Sequence, residues 1–413
     1  MLKRDFKSVD FEAVNNHLSS VDWYGSLDSV DTVDEKYELF LAVLNHCIEL
    51  FVPIIKVPLH DSCIPPHLTS LSRKRSLAWR TAVEQDTTES WAAFSRLNKI
   101  FSKRLWKFNN NLEKKIVRSK DKNAFYKLIN SRIRPKNNIG VLVSSQGTIA
   151  QTDREKAEML ADVFELSFSQ CKRTEVLQDP MSFPKMSDSI WFYGDDIYNL
   201  ISKWPSSYSE TPDHIPLAFI KGILHTITRP LEYIFNLSFM RSEVPSRWKL
   251  LLVTPIPKKP PYTSPTNFRP ISITSIFART FEKILKKKIE SHLEEHSIIS
   301  EFQHGFQKNK SAVTAMLQTL NDWTINADEG YRTDVVYLDF CKAFDKVPHE
   351  NLLRKLVVIG IHPRINAWIR AFPADRVFRV RINNTLSEPR HVWSGVPQGG
   401  GGLIPDPFQY LHL

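Results

Sequence analysis

The residue with the clearest chemical potential is Asp339, in the stretch Asp334-Val-Val-Tyr-Leu-Asp-Phe-Cys-Lys-Ala-Phe-Asp-Lys-Val-Pro-His349. Val335 to Leu338 is an apolar, β-branched run that predicts a buried strand, with Asp339 at its C-terminal end and Lys342 to Val347 turning into a helix. A carboxylate held at a strand end can ligate a hard divalent cation. Two such ions can activate a 3′-hydroxyl and stabilise the leaving oxygen in phosphoryl transfer. Taken alone, the same aspartate also reads as a turn residue or helix cap. A second pair, His292 and His296, has the four-residue spacing of helical zinc ligands. However, Leu293 stands where the metalloprotease pattern H-E-x-x-H has glutamate. The neighbouring Lys286, Lys287, Lys288, Glu290, Glu294 and Glu295 predict a solvated helix face instead.

The elements that must position such residues belong to a globular chain. At 413 residues, with 42% hydrophobic and 24% charged, it has material for two or three domains, and wholesale disorder is excluded. The four cysteines, Cys47, Cys63, Cys171 and Cys341, show no C-x-x-C spacing. That argues against a disulfide framework or zinc ribbon and suits a reducing compartment. The N-terminus MLKRDFKSVDFEAV lacks the apolar core of a signal peptide. The most hydrophobic stretch, Leu39 to Leu59, is interrupted by Asn45, His46, Glu49, Pro53 and Lys56, which predicts a buried helix and its exit rather than a membrane span. A soluble, intracellular protein is expected, with nucleus or cytoplasm undecided.

Net charge is +10, and it is unevenly placed. Residues 71–140 hold eighteen lysines and arginines against five acids. Within them Phe94, Leu97, Phe101, Leu105, Phe108, Leu112 and Ile116 recur every three or four positions, one face of an amphipathic helix. Basic side chains, among them Arg104, Lys107, Lys114, Lys115 and Arg118, fill the rest. A solvated helix surface is one reading; a phosphate-tracking surface for RNA is the other. Calmodulin-target and membrane-surface readings are minor alternatives. Residues 1–70 read as mainly helical, ending in the stretch Pro53 to Pro66. Thr152-x-x-Glu155 forms a capping-box pattern ahead of a helix over Ala157 to Phe168, and Pro180 to Pro184 reads as a linker. From about residue 191, strand-like and helical patterns alternate, as in an α/β or α+β domain.

The string LDFCKAFDKVPH resembles the first catalytic palm motif of reverse transcriptases from non-LTR retrotransposons, especially the jockey-like group. Further segments are similar to that family's motifs, in its order. Ser209-Glu-Thr-Pro-Asp-His-Ile-Pro216 comes first, with His214 where a glycine is usual. Val244-Pro-Ser-Arg-Trp-Lys249, Thr254-Pro-Ile-Pro-Lys-Lys259 and Asn267-Phe-Arg-Pro-Ile-Ser272 follow. Gln303-His-Gly-Phe306 and Ser394-Gly-Val-Pro-Gln-Gly399 complete the set. The resemblance covers roughly residues 195–400. It implies an α+β fold of right-hand polymerase fingers and partial palm, preceded by a mainly helical basic N-terminal extension. The implied domains are 1–70, resembling the segment after an endonuclease domain; 71–190, basic, helical and RNA-binding; and 191–413, the reverse transcriptase domain. An intron maturase or telomerase-like polymerase shares the palm logic, but the wording of these motifs fits jockey-type elements better.

The resemblance also assigns roles. Asp339 is implied as the catalytic metal ligand, assisted by the backbone carbonyl of Phe340, for two Mg2+ ions in the intact family. Phe344 would pack under the sugar and exclude a ribose 2′-hydroxyl; ordinary core packing is its alternative. Lys258 and Arg269 match finger positions that approach the incoming triphosphate, where cations stabilise developing charge. Gln398 and Gly399 match the loop contacting template and nucleotide, where glycine allows close backbone approach. Asp345 fits the motif as a structural residue. The implied partners are an RNA template, a DNA primer and a deoxynucleoside triphosphate (dNTP), with no membrane.

The family's next motif is an aromatic-x-Asp-Asp hairpin, which brings the other carboxylate. It does not occur in residues 401–413, where Asp406 lies between Pro405 and Pro407. The chain holds only 13 glycines where about 29 would be typical, and five of them, Gly395 and Gly399 to Gly402, fall after residue 394. Read one nucleotide later from the codon of Gly402, permitted codons encode V-L-S-P-I-L-F-N-I-Y, which restores the family wording. The expectation is therefore a reading frame lost in the glycine run and a polymerase truncated before its second carboxylates, inactive as this chain. A non-catalytic RNA-binding remnant is the alternative.

Overall fold

The structure, a computed structural model, describes residues 2–56, 65–119, 121, 124–126, 128–129, 139–168, 183–187, 190–339, 342 and 344–396. In chain order, β1 (Leu2–Arg4) precedes α1 (Phe11–Ser19), α2 (Trp23–Asp28), α3 (Val33–Phe51) and β2 (Ile54–Lys56). The long helices α4 (Pro66–Gln85) and α5 (Thr88–Ser119) follow, then β3 (Leu142–Val143), β4 (Ile149–Ala150) and α6 (Asp153–Glu165). Next come α7 (Gly194–Lys203), α8 (Leu217–Arg241), β5 (Leu250–Pro257), β6 (Phe268–Ile273) and α9 (Ile276–Glu295). The described chain closes with α10 (Ala312–Asp328), α11 (His349–Val358), α12 (Pro363–Ala371), β7 (Val377–Ile382), β8 (Thr385–Leu386) and β9 (Arg390–His391). The mixture of helix and sheet is the expected class.

Two compact units result. One is Met1–Lys3 with Ile54–Asn138, and the other is Arg4–Pro53 with Ile139–Leu413. The smaller unit is a helical hairpin. Pro66 sits at the first turn of α4, where its missing N–H costs nothing. Asp86 ends α4 in a left-handed conformation (φ 44°), and Thr87 and Ser90 cap α5 by exchanging side-chain-to-backbone hydrogen bonds of 3.3 and 3.2 Å. The apolar stripe of α5 is half-buried, with Phe101 buried and the Arg75 guanidinium 4.4 Å over its ring.

In the larger unit, α1 to α3 join α7, α8, α9, α11 and α12 around one core. Phe192, Phe281, Trp368 and Phe372 stack through it at 4.3, 4.3 and 4.9 Å. The sheet runs β6-β5-β7-β8, with β9 also on β7; β5 pairs antiparallel with β6 and parallel with β7. Its other face buries Leu251, Val253, Phe268, Phe378, Val380 and Ile382 against α6. The capping box at Thr152 and Glu155 forms as the sequence predicts. Arg390 pins β9 to α6 through Glu158, Asp162 and Glu165 at 3.2, 2.9 and 3.4 Å.

Four expectations are corrected. Val335 to Leu338 is in no strand, and Val336, Tyr337 and Leu338 are more than four-fifths exposed (81, 83 and 88%). An apolar run becomes a buried strand only beside a hydrogen-bonded neighbour and an opposing layer, and the described residues supply neither; α10 just before it also buries no residue. Among Lys342 to Val347 the described residues form turns, and the helix waits until His349, because Pro348 disfavours helical backbone at Val347. His292 is buried rather than solvated, its Nε2 lying 3.0 Å from the Ile359 carbonyl. Of the linker, residues 180–182 lie outside the described residues. Beyond them Phe183 and Met186 pack on the core, and the Met186 N–H donates to Gly360 O at 2.8 Å. Gly360 (φ 79°) is required there, since a Cβ would come 2.1 Å from the Pro184 carbonyl.

Candidate functional site

The β5–β6 ribbon brings the two expected cations together. Ile256 is opposite Arg269 in the ladder, and Lys258 continues it, its N–H donating to Asn267 O at 2.7 Å. Because side chains alternate, Lys258, Ile256 and Arg269 share the face away from α6, with Lys258 and Arg269 as diagonal neighbours. Diagonal Cα atoms are about 7–8 Å apart, within reach of one polyphosphate for two long side chains. Both cations are exposed. The two prolines beside them, Pro257 and Pro270, fix the backbone without adding donors.

Asp339 is exposed at the end of the unpaired 331–339 run. Phe340, Gln398 and Gly399 lie outside the described residues, so the structure says nothing of the carbonyl or the loop assigned to them. A hard-cation centre needs several oxygen ligands. Among the described residues no group of three or more His, Cys, Asp or Glu side chains could hold a metal. The donors described around Asp339 therefore do not by themselves make a site for two Mg2+ ions.

What the structure does assemble is the turn after Asp339 and the start of the glycine-rich loop, fifty residues apart. The Gly395 N–H donates to Val347 O at 2.9 Å, the Val396 N–H to Phe344 O at 2.8 Å, and the Ser394 hydroxyl to Asp345 O at 2.6 Å. Gly395 has φ 83°, and a Cβ there would lie 2.5 Å from Phe344 O. Glycine is the residue that satisfies both conditions. His349 Nε2 is 2.9 Å from Gly395 O, and burial pushes its pKa down. Phe344 is half-buried against the helical core. Asp345 contributes its backbone carbonyl to this contact.

Sequence reasoning missed Arg376. It is fully buried, its guanidinium lies 4.1 Å over the Phe372 ring, and burial pushes its pKa down to about 10. Its Nε and Nη2 find no hydrogen-bond partner among the described residues. It lines a cavity of about 30 Å3 with Ser272, Asp345 and Ser394, room for about one water molecule. A lone arginine in sequence carries no signal of this.

The upstream motifs form architecture. Asp213 is buried and accepts from the Tyr37 hydroxyl at 2.8 Å, while burial raises its pKa. The Tyr37 hydroxyl also lies 3.3 Å from Ser275 Oγ. Arg247 grips Glu38 through Nε and Nη2 at 2.6 and 3.1 Å. His214 has φ 59°, a left-handed backbone that glycine adopts at less cost. In the hairpin unit, Arg104, Lys107, Lys114, Lys115 and Arg118 are all exposed on α5. No helix among the described residues is long and apolar enough to cross a membrane.

Residues 256–402, which hold Lys258, Arg269, Asp339, Phe344 and Gly395, match the family model described as reverse transcriptase (RNA-dependent DNA polymerase). The chain is 26% identical over 390 residues to a probable RNA-directed DNA polymerase from transposon X-element of Drosophila melanogaster, covering 91% of this chain and 43% of that protein. It is 26% identical over 265 residues to the corresponding protein from transposon BS of the same fly, covering 61% and 29%. It is 31% identical over 177 residues to the Pol polyprotein of the type-1 retrotransposable element R2 of Popillia japonica, covering 42% and 24%. The chain thus spans less than half the length of these curated relatives.

Proposed function

We propose that this chain, a relative of the RNA-directed DNA polymerases of non-LTR retrotransposons, is the nucleotide- and RNA-holding part of such a polymerase, and that these 413 residues alone do not extend a primer. The finger-type ribbon and partial palm would hold the incoming dNTP and the template–primer, and the basic hairpin would hold RNA. The observation that carries the proposal is the shared face of Lys258 and Arg269. Two cations at this spacing can offset part of the charge of one triphosphate, where positioning and electrostatic stabilisation are most of the catalysis. Phe344, on the clamped turn, is proposed to face the sugar of that nucleotide. Gln398 and Gly399 would complete the pocket from the loop that Gly395 anchors.

Extension needs more carboxylate than this. With Asp339 as the one carboxylate offered among the described residues, two divalent ions would be under-neutralised and loosely held. The chain is therefore expected to bind without turnover. The test is RNA affinity as a function of salt: clustered lysines and arginines give a steep negative slope of log K against log salt. A slope near zero, or no measurable binding at low salt, would overturn the RNA-holding part of the proposal.

A further inference from the structure

The following inference rests on the reading of α5 as an RNA-binding surface. On α5, Arg96, Lys99, Lys103, Lys107, Asn110 and Lys114 recur at steps of three and four, and so line a single seam of the helix. At 1.5 Å per residue that seam runs about 27 Å. Its five cations are exposed and make no ion pair among the described residues. The half-buried apolar stripe, centred on Phe101, lies on the other side of the helix, so the seam is the side left to solvent.

Trp106 flanks this seam about halfway along it, one turn after Lys103 and one turn before Asn110. It is 67% exposed and makes no hydrogen bond or ring contact among the described residues. Trp91, on the same helix, is accounted for by the hairpin: its indole N–H donates to Asp86 Oδ1 at 2.9 Å and its ring meets Phe94 edge-on at 6.2 Å. Nothing comparable explains Trp106. A large bare indole is a liability in water, but among cations it has the makings of a single-stranded nucleic-acid site. Cations track the phosphates there, while an aromatic face takes an unpaired base.

We propose that Trp106 is a base-stacking platform for single-stranded RNA, with the seam from Arg96 to Lys114 holding the phosphodiester backbone on either side. A duplex has its bases already stacked and offers the seam only phosphates. The two contributions differ in salt dependence. Cation–phosphate contacts release counterions and set the slope of log K against log salt, whereas stacking changes affinity at constant slope.

The experiment uses the full chain and a labelled oligouridine of about fifteen nucleotides, titrated by fluorescence anisotropy at several salt concentrations. Trp106→Ala should weaken binding roughly 5- to 100-fold with the salt slope unchanged, and Trp106→Phe should recover most of the loss. The double variant Lys103→Ala/Lys107→Ala should flatten the slope by about 1.4. All are exposed helix positions, and melting curves verify folding. Trp106→Ala binding within twofold of wild type, or blunt duplex RNA of equal length competing as well as oligouridine, overturns the inference. If the lysine variant also leaves affinity and slope unchanged, the RNA-binding reading of α5 fails as well. If the lysine variant alone acts, that reading stands and only the role of Trp106 falls.

Discussion

Gly395 packs directly on the backbone of Phe344: the next residue's N–H donates to Phe344 O at 2.8 Å, and a Cβ on Gly395 would lie 2.5 Å from that oxygen. The contact joins the turn following Asp339 to the loop leading to Gln398. Gly395→Ala should therefore cost about 2–4 kcal/mol, from left-handed strain plus a backbone clash. Urea denaturation measures this, with Gly140→Ala as the control because a Cβ there meets nothing within 4 Å. Equal effects at the two glycines would contradict the clamp.

At His214 the strain runs the other way. With φ 59°, His214→Gly should be neutral or stabilising by up to about 1 kcal/mol, since the exposed contact to Glu210 contributes little. His214→Val should destabilise by about 1–2 kcal/mol, because a β-branched side chain tolerates that region worst. Equal melting temperatures for the two variants would be inconsistent with this backbone geometry.

Buried Asp213 makes stability depend on pH. Burial raises its pKa above the ordinary 3.8 despite hydrogen bonds from Ser275 and Tyr37. Folding thus favours its protonated form: its contribution is fully present below pH 3.8 and is lost as pH rises through the raised value. Asp213→Asn removes that loss. The stability of Asp213→Asn relative to wild type should climb with pH across this window and then level off. Denaturation midpoints at a series of pH values test this, and a flat difference would refute it.

The shared face of Lys258 and Arg269 predicts coupled losses. Each alanine variant should weaken dNTP binding roughly 5- to 100-fold, as expected for a lost charge-assisted hydrogen bond. The double variant should lose less than the product of the two, because both cations address one polyphosphate. Independent, multiplicative losses would mean that they do not meet on one ligand.

The sequence was most legible where local rules decide. The Thr152–Glu155 cap, the stripe of α5 and the mixed class all follow from neighbours in the chain. The proximity of Lys258 and Arg269 needed only the ladder. The failures involve partners far away in sequence. Val335 to Leu338 has a strand's composition, but composition cannot supply the adjacent strand that would bury it. His292 looks solvated beside its charged neighbours until Ile359 covers it. Arg376, buried over the Phe372 ring, is an ordinary letter until the chain folds around it. The contact of Gly395 with Phe344 spans fifty residues, and nothing in the neighbouring sequence marks it.

The most direct test is primer extension by these 413 residues on an RNA template with a DNA primer, Mg2+ and dNTPs, beside a binding assay on the same preparation. The account predicts salt-sensitive RNA binding and no extension, with Asp339→Ala indistinguishable from wild type in both. Extension by wild type that Asp339→Ala abolishes would contradict it, showing that one exposed carboxylate suffices or that the second carboxylate comes from elsewhere.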